Sequence, residues 1–301
     1  MKKIALFFIS IMLFFAVGFF LARTHPRLAK TTTPEKPAAE GRFRPAAFPI
    51  EHRPFAIVII GRKNGALVEK TLRSAFSQQY ENFRLIYIDD ASDDGSFELA
   101  QDLVHDNGSQ TQVTLVHNEE PLGFIANLSR ASQACEDEEI VVVLHGEDLL
   151  AHEWVLQRLN QFYADPDLWL TYGQYLEYPS FKQGICRAYD KGFRESPFAA
   201  SHLQTFYASL FKKIRGSDLV YQGQYIPGSG DLAYMIPLLE MACDHFQFIP
   251  EILYLATSSL TKEDRELQMK IEQHVRAQAA YAPLTGLSLP PTNEIEAEGF
   301  P

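Results

Sequence analysis

The chain has 301 residues, 46% hydrophobic and 22% charged, the proportions of an ordinary globular protein rather than a disordered or fibrous one. A formal net charge of -11 argues against general affinity for nucleic acid, whose phosphates call for a basic surface. Cys135, Cys186 and Cys243 lie far apart and form no Cys-x-x-Cys or Cys/His spacing, so neither a disulfide framework nor a zinc site is indicated.

The elements begin with an apolar run of 19 residues, Ile4 to Ala22, behind Lys2 and Lys3. It is long enough to span the hydrocarbon core as a helix and longer than the apolar part of most signal peptides. Residues 1–22 are therefore read as an uncleaved membrane anchor, with cleavage after the small residues Ala16, Gly18 or Ala22 as the alternative. Lys2 and Lys3 oppose Arg23, Arg27 and Lys30, so basic residues set the orientation poorly. Residues 23–53 carry Pro26, Pro34, Pro37, Pro45 and Pro49 with no apolar period, which reads as a tether.

From Phe55 onward, strands and helices alternate. FAIVII (Phe55 to Ile60) is a buried strand, and Val68, Leu72, Ala75 and Phe76 follow at helical spacing. RLIYI is the second strand, and Phe97, Ala100, Leu103 and Val104 mark the next helix, with Ser96 at its start. QVTLVHN is a third strand. Phe124, Leu128, Ala131 and Cys135 share a helical face. IVVVL (Ile140 to Leu144) is a continuous apolar strand, as parallel strands buried on both faces are. Val155, Leu156, Leu159, Phe162 and Tyr163 form another helix. Three βα units in a row predict a mostly parallel sheet flanked by helices. Farther on, Trp169 to Tyr178 reads as a strand and Ser201 to Ile214 as a helix with Leu203, Phe206, Leu210 and Ile214 inward. Gly228 to Ala242 reads as a helix ended or kinked at Pro237. Phe246 to Thr257 reads as a strand interrupted by Pro250. Thr261 to Ala280 reads as a charged helix before a disordered Pro-rich tail.

The stretch FRLIYIDDASDDGS (Phe83 to Ser96) bears the chemistry. A strand needs only its apolar residues, so the acidic cluster at its mouth has another purpose, and carboxyl ends of such strands face the ligand crevice. A GxxxxGK[ST] loop and a GxGxxG turn are both missing, which disfavours an ATPase or a dinucleotide oxidoreductase. GRKN after the first strand, then VEKTLRSAFSQQYENFRLIYIDDASDDGS, resembles the start of the family 2 glycosyltransferases. Lys63 and Asn64 stand at the family's Tyr-Asn place, Ser74, Gln78 and Gln79 follow at family spacing, and Asp89, Asp90, Ser92 and Asp94 match its acidic turn. The likeness extends from Phe55 to about Ala256.

The resemblance implies an α/β GT-A fold, Rossmann-like, with a mostly parallel twisted sheet flanked by helices, over residues 54–258, then a C-terminal helix and tail over 259–301. It implies an inverting glycosyltransferase moving a sugar from a nucleoside diphosphate donor, expected to be a UDP-sugar, to a hydroxyl of a glycan, a lipid-linked carrier or a protein in cell-surface glycan synthesis. The anchor would then hold the domain on the cytoplasmic face, where the donor is made. Asp90 is expected on the base edge, with Asn64 and Asn127 supporting the nucleotide and His145 near the ribose. Relatives carry Asp-x-Asp after the fourth strand. This chain has His145, Glu147 and Asp148 in LHGEDLL, so Glu147 and Asp148 are the expected ligands of a Mn2+ or Mg2+ ion. The altered motif keeps a second reading open: a non-catalytic copy that binds a glycan or partner. Asp231 is the expected general base, Glu240 its substitute, and His202 a neighbour of the acceptor. Gln204 stands where an Arg is expected.

Overall fold

The computed structural model describes residues 51–289 apart from 109–111, 190–191, 229, 258–261 and 288. The expected anchor, residues 23–50 of the tether and the end of the tail lie outside the described residues. Among the described residues no helix is long and apolar enough to cross a membrane.

The first half follows the predicted alternation. It runs β1 (Phe55–Gly61), α1 (Leu67–Phe76), β2 (Phe83–Asp89), α2 (Ser96–Asn107), β3 (Val113–His117), α3 (Phe124–Gln133) and β4 (Ile140–His145). β1 pairs in parallel with β2 and β4, and β2 with β3. β1 is buried along its whole length, which is why it reads as an apolar run without alternation. The stripes Val68, Leu72 and Ala75 on α1, and Leu128 and Ala131 on α3, are buried as their spacing predicts.

The second half continues with β5 (Leu149–Leu150), α4 (Val155–Phe162), β6 (Leu170–Glu177), β7 (Lys182–Gln183), β8 (His202–Tyr207), α5 (Ala208–Phe211), β9 (Val220–Tyr221), β10 (Gln224–Tyr225), α6 (Asp231–Ala242), β11 (Phe246–Ala256) and α7 (Lys262–Ala277). The main sheet has the order β3-β2-β1-β4-β8-β6-β11-β5, with β7 beside β6. β8 runs antiparallel to β4 and β6, whereas β6 and β11 are parallel.

β8 corrects the expected helix over Ser201 to Ile214, of which only α5 is α-helical. Leu203 and Phe206 do point into the core. β8, however, lies in the middle of the sheet with Leu203 through Tyr207 all buried, and a strand buried on both faces presents apolar residues at helical spacing too. Two other expected breaks are absorbed. α6 runs through Pro237. β11 passes Pro250 by register shifts between Ile249 and Ile252 and between Ile252 and Tyr254, the bulges that let a strand tolerate a missing N–H.

α6 is apolar almost all round, with every residue but Glu240 buried, the mark of a helix inside a core rather than on it. α7 and the segment after it close over α6. Ile271 and Val275 are buried, and the Leu284 N–H donates to the Met241 carbonyl at 2.9 Å. The described residues from 262 to 289, read as a C-terminal helix and the start of a tail, therefore pack on the same core.

Candidate active site

The parallel register aligns the carboxyl ends of four strands. Gly61 pairs with Asp89, Ile60 with His145, and Asp89 with His117. The residues that leave these strands, Asp90, Asn118 and Gly146, therefore emerge along one edge. A cleft of about 900 Å³ opens there, and Asp90, His145, Glu147, Asp148, His202 and Asp231 all line it. Its volume suits a ligand of nucleotide size. Asn64 and Asn127 stand behind this lining.

Asp90 is 4% exposed and organises the side of the cleft near β2 and β3. Its Oδ1 accepts from Asn118 Nδ2, the Leu122 N–H and Asn127 Nδ2, each at 2.8 Å, and its Oδ2 from the Gly123 N–H at 2.9 Å. Burial pushes the Asp90 pKa up, but these four hydrogen bonds outweigh it and hold the carboxyl below its ordinary range. Oδ1 is saturated. Oδ2 keeps capacity for one further donor. The rest of the acidic turn faces the other way: Ser92 Oγ accepts from the Lys63 N–H, and Asp94 Oδ2 from the Gly65 N–H. These two clamp the loop after β1.

That loop presses Gly61 against Gly146. A Cβ on Gly146 would lie 2.5 Å from the Gly61 Cα and 2.7 Å from Asn64 Oδ1, so the close approach at the ends of β1 and β4 accepts no side chain there. Asn64 Nδ2 donates to Glu147 Oε2 at 2.9 Å, fixing Glu147 at the cleft wall. Asp148 is 1% exposed. Its Oδ2 accepts from the Tyr254 hydroxyl at 2.7 Å and its Oδ1 from the Thr257 N–H at 2.6 Å. The Asp148 carboxylate thus ties the turn after β4 to the end of β11.

Across the cleft, Asp231 opens α6. It is buried, and its Oδ1 has no hydrogen-bond partner. A helix N-terminus favours the ionised form, which by itself would lower its basicity. Burial acts the other way and dominates, pushing the carboxyl above the ordinary value, while His145 and Gln204 pull it part of the way back. His145 Nε2, also buried without a partner, stands 3.8 Å from Asp231 Oδ1. His202 is pulled down to about 3 by burial and, secondarily, by His145, so its imidazole is neutral at neutral pH.

Glu240 has no part in this wall. Arg194 grips it from Nε at 2.6 Å and from the second terminal nitrogen at 2.9 Å, and the Tyr281 N–H donates to it at 3.0 Å. It is a half-buried clamp on the C-terminal segment, which removes it as a substitute base. Gln204 donates to the Ala200 carbonyl and accepts from the Tyr234 hydroxyl. Asn118, Tyr254 and Thr257 are contributors that the sequence reading passes over. Asn118 was the one within reach, since it follows β3 as Asp90 follows β2.

An open parallel sheet ending at a β8 reversal, with an acidic turn after β2 and a cleft along the strand ends, is the GT-A fold. Residues 56–183 match the family described as Glycosyl transferase family 2. Among solved structures it is similar to Staphylococcus aureus TarS 1-349 in complex with UDP-GlcNAc, with a TM-score of 0.54 and 12% identity over 73% of this chain and 66% of that one. It is also similar to the mannosyltransferase PcManGT of Pyrobaculum calidifontis in complex with GDP-Man and Mn2+ (0.54, 18%, over 77% and 67%). A third is the glucosyl-3-phosphoglycerate synthase of Mycobacterium tuberculosis, in complex with Mn2+, UDP and glucosyl-3-phosphoglycerate (0.52, 14%, over 79% and 83%). At these identities the likeness is one of fold. The match spans 39% of a longer TarS chain. No curated protein matches the chain in sequence.

Proposed function

We propose that this chain transfers a sugar, with inversion, from a nucleoside diphosphate donor, expected to be a UDP-sugar, to an acceptor hydroxyl. The observation that carries this reading is that Asp231, a buried carboxylate with a raised pKa, shares one cleft with the Asp90 turn. In the reaction the acceptor oxygen attacks the anomeric carbon while its proton passes to Asp231. The bond from that carbon to the diphosphate breaks, and the electron pair leaves with the diphosphate. A carboxylate whose pKa is raised toward the working pH is a stronger base than an ordinary one. Asp90 keeps the base pocket in shape through the 118–127 segment.

The hard-oxygen pair of the family fits a Mn2+ or Mg2+ ion poorly here. Asp148 spends its oxygens on Tyr254 and Thr257, and a nitrogen donor replaces the first carboxylate at His145. Charge on the leaving diphosphate is met instead by the N-termini of α3 and α6, which both border the cleft, and by Arg62 at its rim. The acceptor belongs to a glycan, a lipid-linked carrier or a protein, and the N-terminal apolar run would hold the domain at the cytoplasmic face of a membrane.

The test is titration of labelled UDP- and GDP-sugars against purified protein, with turnover measured on wild type and Asp231→Asn. Expected is donor binding by both, with turnover lower by about 10²–10⁴ in the variant. Donor binding without turnover by wild type would favour the binding-protein reading, to which the altered Asp-x-Asp motif points. Binding of no donor at all would overturn the transferase reading and leave the copy that binds a glycan or partner.

A further inference from the structure

Three side chains that the sequence scatters over 87 positions converge on one wall of the cleft. His145 ends β4, His202 begins β8 and Asp231 begins α6. One ligand-competent atom from each lies within 4.8 Å of the others. Two of these groups are left in a condition that buried polar atoms rarely tolerate: His145 Nε2 and Asp231 Oδ1 are shut off from solvent and make no hydrogen bond. Their separation of 3.8 Å is too long for a hydrogen bond between them. Ligand atoms about 2.0–2.1 Å from one metal stand about 3.3–3.4 Å apart at a tetrahedral angle and about 4.2 Å apart when opposite, so the observed separation falls between those two arrangements.

Aromatic packing already orients both rings. His145 stacks on Phe124 with centroids 4.5 Å apart and planes 4° apart. His202 stacks on Tyr254 at 4.6 Å and 6°, and meets the Tyr175 ring edge-on at 4.7 Å. Such fixed rings are what a preorganised ligand set needs.

We propose that His145, His202 and Asp231 form a site for a divalent first-row transition ion of the zinc type, with its remaining coordination position open to the cleft. Two imidazoles and one carboxylate are the ligand set of an open zinc site. They disfavour Mg2+ and Ca2+, which take oxygen ligands almost entirely. The open position takes water or an anionic oxygen such as that of a phosphate. The ion occupies Asp231 Oδ1, so a filled site competes with proton acceptance by that carboxylate. The proposal rests on the donor set and not on the transferase reading.

The test is metal content and spectroscopy on the purified full chain. Protein stripped with a chelator is dialysed against Zn2+ and analysed for metal, then loaded with Co2+ for visible absorption. Expected are one zinc per chain, the intense visible bands of a four- or five-coordinate cobalt site, and no displacement by millimolar Mg2+. His145→Gln and Asp231→Asn should each weaken zinc binding by at least about 100-fold, with metal-free melting temperatures showing whether each variant folds. Absence of stoichiometric zinc, a six-coordinate cobalt spectrum, displacement by Mg2+, or unchanged zinc affinity in folded variants would each overturn the proposal. Donor titration in metal-free buffer reports on the transferase reading separately.

Discussion

Replacing Asp90 by Ala removes the acceptor of four hydrogen bonds at once, and the structure sets the size of the loss. Two of the four donors keep a second partner: Asn118 Nδ2 also donates to Asn127 Oδ1, and Asn127 Nδ2 to the Gly123 carbonyl. The Leu122 and Gly123 N–H groups have no other acceptor within the 118–127 segment. An orphaned buried donor costs about 1–3 kcal/mol, and hydrogen bonds to a charged group sit toward the top of that range. Leu122 is 36% exposed, so water reaches part of the segment and reduces the sum. The expected destabilisation is about 2–4 kcal/mol, with loss of donor binding because the 118–127 segment shifts. Urea denaturation of wild type and variant measures the first, and donor titration at a temperature where both are folded measures the second. A second signature follows from linkage. Because the Asp90 pKa is lowered in the fold, its contribution is present above the unfolded carboxylate pKa and disappears as pH falls through the folded value. The variant should therefore lose part of the wild-type acid sensitivity. An Asp90→Ala protein with the wild-type urea midpoint, slope and acid profile would show that the carboxylate is a solvated turn residue, and the account of this wall would fail.

His202 predicts a further pH dependence. Its folded pKa of about 3 lies below its ordinary value of 6.5, so the unfolded chain takes up a proton first, and stability falls as pH drops from about 6.5 toward 3. His202→Phe should flatten that limb of a stability-against-pH curve, and an unchanged curve would place the imidazole in solvent. Gly146→Ala forces a methyl onto the Gly61 backbone and Asn64. It should cost about 1–3 kcal/mol in chemical denaturation, and a neutral result would mean that β1 and β4 part easily at their ends. Glu240→Ala strands Arg194, which is 9% exposed. It should destabilise by about 3–5 kcal/mol while folded protein keeps turnover within a few-fold, and a collapse of turnover in folded protein would return Glu240 to the reaction.

What could be read from the residues depended on how locally each feature is specified. Strands β1, β2 and β4 and the stripes of α1 to α4 follow from short-range periodicity, because each needs only its own side chains to choose a buried face. The acidic turn is equally local, since Asp89, Ser92 and Asp94 act within a few residues of one another or on the adjacent loop. The limit shows at β8. Its Leu203 and Phe206 satisfy a helical period, and the decision for a strand came from the hydrogen-bonding edges of β4 and β6, which lie far away in the chain. The C-terminal segment erred the other way: its polar face hid Ile271, Val275 and Leu284, which gain their meaning from the α6 surface they cover.

The sequence by itself determined the α/β order, the family resemblance and the identities of Asp90, Glu147 and Asp231 as candidates, because these rest on motifs whose spacing is conveyed along the chain. Only the tertiary structure decided what each carboxylate is free to do. It turned Asp148 and Glu240 into structural acceptors, left Asp231 Oδ1 without a hydrogen bond, and gathered His145 and His202 around it. The physical reason is that a carboxylate's availability depends on which donors and how much water surround it, and those neighbours come from strands and helices that meet only when the sheet closes.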